Sequence, residues 1–110
     1  MKFEERSREF DVAGVRLTHV ADIELEPDEL VTFEGGLDVT RKEWGYYATP
    51  SLNGRLREQG LRAVLVSGGG KLYLLLVEEG AEPAFERYLD EQELRVLAWL
   101  DTDEAAGRFE

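Results

Sequence analysis

The chain has 110 residues, the size of one ordinary domain, and its 43% hydrophobic and 34% charged residues can bury a core, which excludes a disordered chain. It has no cysteine and one histidine, His19, so disulfides, thiolate metal sites and a histidine-rich zinc site are excluded, and no metal or other cofactor is expected. A net charge of -11 repels phosphate backbones and anionic lipid surfaces alike, so neither a nucleic acid nor a membrane is an expected partner.

Met1 to Arg6 carries charge where a signal peptide needs an apolar run, and no stretch approaches the roughly 18 apolar residues of a membrane span. The expectation is therefore a single cytoplasmic domain over residues 1–110. From Val15 to Glu26 the odd positions are Val15, Leu17, His19, Ala21, Ile23 and Leu25, while the even ones are mostly polar. This period of two predicts a long strand with one face buried and the other wet. Pro27-Asp28 ends it. Leu30 to Glu34 and Leu37 to Arg41, joined across Gly35-Gly36, predict a hairpin.

Thr49-Pro50-Ser51 resembles a helix start and Gly60 a stop, predicting a short helix from about Ser51 to Gln59 with Leu52 and Leu56 as its buried stripe. Leu61 to Val66 and Leu72 to Val77 are nearly continuous apolar runs around Gly68-Gly69-Gly70. They predict paired central strands covered on both faces. Pro83 opens a second helix to about Glu91, Leu94 to Leu100 is a last strand, and the acidic tail from Asp101 is expected to fray. The resulting fold class is α+β, a mostly antiparallel sheet of five or six strands with two helices.

Charge is unevenly placed. Arg41 to Lys71 holds six basic residues against two acidic ones, a net of +4, and the remainder of the chain carries -15. Within that segment, Lys42, Trp44, Tyr46, Tyr47, Asn53, Arg55 and Arg57 form the densest chemistry-bearing stretch, and they are the candidate ligand-binding residues. Trp and Tyr offer flat faces to a sugar or ring, and the cations would meet an anionic small molecule or an acidic protein segment. The plainer reading makes Trp44 and one of Tyr46 and Tyr47 core anchors, and makes the +4 segment a complement to the acidic remainder.

The block Trp44-Gly45-Tyr46-Tyr47-Ala48-Thr49-Pro50-Ser51-Leu52-Asn53-Gly54-Arg55-Leu56, followed by Leu72 to Glu78 and Trp99-Leu100, resembles a group of small bacterial proteins without an established activity. These accompany surface-polysaccharide or nonulosonic-acid biosynthesis genes. The resemblance spans roughly Val31 to Leu100 and implies a bacterial cytoplasmic setting.

Weaker signals read as architecture. His19 falls on the inward face of its strand, with no serine or cysteine nucleophile assignable to it. Gly68-Gly69-Gly70-Lys71 lacks the glycine spacing of a phosphate loop and reads as a hairpin turn. Asp22, Glu24 and Glu26 on one strand face read as solvated carboxylates. Three functional readings follow: a non-catalytic binding or accessory protein, a homodimeric interaction module completed by the apolar strands, and a small enzyme acting on a saccharide or activated sugar through His19, Tyr46 or a carboxylate.

Overall fold

The computed structural model describes residues 1–109, and among them lie eight strands in three antiparallel sheets and three helices. The α+β class and the antiparallel pairing are those expected. The count is larger because one strand before Val15, one across Gly45–Tyr47 and a helix after Asp101 add to the elements legible in the sequence, and the strands divide among three sheets. The chain divides into two compact units, Met1–Thr32 with Asp38–Ala48 and Phe33–Leu37 with Thr49–Glu110.

The first unit opens with β1 (Lys2–Val12) and β2 (Val15–Glu24), a long two-stranded ribbon. Their connection is two residues, Ala13 and Gly14, at φ +49° and +80°. Positive φ at both positions gives the turn a twist that matches the strands. Pairing runs Val12 to Val15, Phe10 to Leu17 and Arg8 to His19, then shifts by one residue before resuming at Glu5 with Ala21 and Phe3 with Ile23. The extra residue between Glu5 and Arg8 is a β-bulge, and it keeps Phe3, Phe10 and Val12 on one face although their parity in the sequence differs. That face is not buried as the alternation predicted: Val15, Leu17 and Ile23 are all exposed. Two strands alone form a single layer, and burial of a sheet face requires a second one.

After the ribbon, β3 (Leu30–Thr32), β4 (Asp38–Lys42) and β5 (Gly45–Tyr47) form a three-stranded meander with β4 in the middle. The expected hairpin is β3–β4; β5 extends it through a tight turn at Glu43 and Trp44.

The second unit holds the core. A sheet of order β7-β6-β8 is built from β6 (Leu61–Gly68), β7 (Lys71–Glu78) and β8 (Arg95–Trp99). The β6–β7 turn at Gly69 and Gly70 has φ +57° and +77°, values that favour glycine, so the glycine run is the hairpin expected of it. Val64, Val66, Val77 and Leu89 form the buried cluster, with Leu75, Phe85, Leu94 and Trp99 packed against it. The Phe85 and Trp99 rings meet edge to face at 6.1 Å. Coverage of both faces holds for β6 in the centre and fails on the edge strand β7, where Leu72, Tyr73 and Leu74 are exposed.

Helix α1 (Arg55–Glu58) lies against β6 and is shorter than expected, because Ser51 acts as an isolated turn before it: its carbonyl accepts from Leu56 N–H and its hydroxyl from Arg55 N–H. Leu56 is fully buried. Helix α2 (Glu82–Gln92) carries Pro83 in its first turn and ends in a left-handed Glu93, with Leu94 N–H returning to Leu89 O. The tail is a correction to the frayed segment expected. Thr102 caps α3 (Asp103–Arg108) by accepting from Ala105 N–H at 3.0 Å, and Asp101, at 1% exposure, is buried.

Candidate functional site

The seven candidate residues fall in both units. Lys42, Trp44, Tyr46 and Tyr47 lie on the β4–β5 hairpin of the first unit, and Asn53, Arg55 and Arg57 lie on and before α1 in the second.

On the hairpin, short strands and a tight turn put the rings outside. Trp44 at the turn is 72% exposed, Tyr46 58% and Tyr47 52%, which overturns the reading of Trp44 and one tyrosine as core anchors. The buried apolar side chains among the described residues all belong to the second unit, so the hairpin has no core of its own to receive them. Adjacent strand positions point to opposite faces, so Tyr46 and Tyr47 diverge. Arg41 pairs across the strands with Tyr46; its guanidinium carbon stands 5.0 Å from the ring centroid and Nη1 donates to Gly45 O at 3.0 Å. Lys42 Nζ is 2.6 Å from Asp28 Oδ1. The cations beside the rings are thus already engaged, one on a ring and one on a carboxylate.

In the second unit Asn53 and Arg57 are also held by acids. Asn53 Nδ2 donates to Asp103 Oδ1 at 3.1 Å. Arg57 Nε lies 3.6 Å from Asp101 Oδ2 and 3.7 Å from Glu79 Oε1, and its Nη1 donates to Asp101 O. Arg55 opens α1, its backbone N–H on Ser51 Oγ. The residue that organises this region is one the sequence reading passed over: Arg62 on β6 donates through Nε to Asp101 Oδ2 at 2.9 Å and through Nη2 to Oδ1 at 3.3 Å, while its guanidinium carbon stacks 4.1 Å above the Trp99 ring. The Asp101 carboxylate raises the Arg62 pKa above its ordinary value. A buried acid between two arginines is a structural clamp.

A recess of about 570 Å³ in the same unit is lined by Glu34, Gly35, Gln59, Gly60, Leu61, Glu78 and Glu79. Among the described residues Gln59 Oε1 is a buried oxygen without a hydrogen-bond partner. Its lining is rich in acceptors, the opposite of an anion site.

His19 Nε2 lies 2.9 Å from Asp22 Oδ1 and 3.1 Å from Ala21 O, with no nucleophile among its partners. Asp22 in turn accepts from Arg6, whose hydrogen bond is the main cause holding the Asp22 pKa below its ordinary value. No group of three or more metal-ligating side chains is arranged around a common point among the described residues, and none of their helices is long and apolar enough to cross a membrane. Comparisons with protein-family models, curated proteins and solved structures find no match.

Proposed function

We propose that this chain is a non-catalytic binding or accessory protein whose β4–β5 hairpin engages its ligand through the rings of Trp44, Tyr46 and Tyr47. The observation that carries this reading is the exposure of three aromatic side chains within four residues. Large rings held in water are normally withdrawn, and Trp and Tyr are the residue types that bind by a flat face with a polar edge. The engagement of Lys42 with Asp28 and of Arg57 with Asp101 and Glu79 shifts the weight from charge to stacking. An acidic saccharide supplies both a ring and a carboxylate: the ring would stack on Trp44, and the carboxylate would meet Arg41, or Lys42 in exchange for Asp28. The resemblance to bacterial proteins of surface-polysaccharide gene neighbourhoods makes this ligand class the first to test.

Isothermal titration against an acidic nine-carbon sugar, a nucleotide sugar and an acidic peptide tests the reading, with tryptophan emission followed in parallel. Binding of a sugar that blue-shifts emission and disappears in Trp44→Ala is the expected result. Binding that survives Trp44→Ala and is lost in Arg55→Ala would move the site to α1, and no binding by any of the three overturns the proposal.

A further inference from the structure

The β1–β2 ribbon has two chemically opposite faces. Lys2, Glu4, Arg6, Glu9, Asp11, Arg16, Asp22 and Glu24 occupy one, where they pair among themselves: Lys2 with Glu24, Arg6 with Glu4 and Asp22, and Arg16 with Glu9 and Asp11. By the register, the other carries Phe3 with Ile23, Phe10 with Leu17 and Val12 with Val15, interrupted at its middle by Glu5, Ala21, Arg8 and His19. The apolar members are not covered: Phe3, Val12, Val15, Leu17 and Ile23 are between 40 and 56% exposed.

We infer that this apolar face is a self-association surface, packed face to face against the same ribbon of a second copy of the chain. Three observations favour a second copy. The exposed parts of those five side chains amount to on the order of 400 Å² per chain, as much as monomeric proteins leave uncovered at a functional patch. That is about the apolar share of the ~800 Å² each partner contributes to a standard interface. The face carries one carboxylate and one guanidinium, Glu5 and Arg8, with the Arg8 guanidinium carbon 5.1 Å from the Phe10 ring centroid, and His19, whose Nε2 lies 2.9 Å from Asp22 Oδ1. Two copies of a strongly acidic chain therefore meet on a locally neutral surface, whereas a basic partner would be drawn to acidic regions elsewhere. Finally, a two-stranded ribbon is marginal in water without a second layer. Another ribbon of the same length and pleat supplies that layer, and an isologous pair buries the same patch on both chains.

Sedimentation at about 100 µM, a hundredfold above a micromolar dissociation constant, reads the association. The wild-type chain is expected at twice the chain mass. Leu17→Glu, which places a carboxylate beside Phe10, is expected to weaken the pair at least 100-fold, and Val20→Glu, on the charged side of the same strand, to leave it unchanged. Circular dichroism of both variants reports whether they fold. Since the chain has no cysteine, single thiols give an independent readout that does not rely on disruption: Ala21→Cys should cross-link between chains with a short bis-maleimide and Val20→Cys should not. A monomeric wild type, a dimer that persists in Leu17→Glu, or a dimer dissolved instead by Leu72→Glu on β7 overturns the inference.

Discussion

Arg62 and Asp101, 39 residues apart in sequence, form a bidentate pair in which the acid is buried and the base is sandwiched against Trp99. The pair fastens the segment after β8 to the central strand β6. Asp101→Ala leaves Arg62 without its carboxylate, and a loss of about 3 kcal/mol in urea denaturation is expected. Replacing both partners, Arg62→Met with Asp101→Leu, should recover most of it, because the desolvated charge is then gone from both sides.

Trp44→Ala should change stability by less than about 0.5 kcal/mol, since the side chain is mostly in water. Of the two tryptophans, Trp99 packs on the core and Trp44 does not. The variant's emission is therefore expected to be bluer and less accessible to acrylamide than that of the wild type. Equal quenching of the two proteins would contradict the exposed hairpin.

Acid should remove a stabilising contribution from the first unit. Arg6 lowers the Asp22 pKa, and Glu29 is lowered chiefly by the hydrogen bond from Glu26 N–H, with help from the N-terminal ammonium. Folded values below unfolded ones mean that these carboxylates stabilise the fold above their ordinary range and lose that contribution as pH falls through the folded values, below about pH 4. Carboxyl-carbon NMR titration in Arg6→Ala should move Asp22 back toward the ordinary carboxylate range and leave Glu29 in place.

Two glycines should respond with opposite signs to alanine. At Gly68 an added methyl group would stand 2.5 Å from Leu94 Cδ2 and 3.1 Å from Glu93 O, so Gly68→Ala should cost about 1–3 kcal/mol. At Gly107, on the exposed side of α3, it would meet nothing within 4 Å, and the higher helix propensity of alanine should add about 0.5 kcal/mol. Thermal melts of the two variants check the contrast.

Local pattern carried much of the architecture. Val15 to Glu24 shows its strand by alternation, and the two apolar runs around Gly69-Gly70 show theirs by content and turn chemistry. Strand β1 was hidden because the bulge breaks its period between Phe3 and Phe10, and Ala13-Gly14 is a weaker turn cue than Asn-Gly. The site was less legible. Residue type ranks Trp44 inward, but its place on a short hairpin turn decides otherwise. Asp101 sits in an acidic run that resembles a solvated tail, and the distant Arg57 and Arg62 give it an interior role. Pairings of that span leave no periodic trace in the chain.

The single extra residue between Glu5 and Arg8 gives the N-terminal strand a point at which a residue can be lost without moving the flanking pairs. Deleting Arg6 or Ser7 would leave one residue opposite Val20, so the ladder would run on without a bulge and Phe3, Phe10 and Val12 would keep their shared face, whereas deleting Val20 from β2, which has no spare residue, would put Ile23 and Leu17 on opposite faces. The two strands of this arm would therefore evolve under different rules, the first able to shed a residue and the second not, with the oily side held in place by arithmetic.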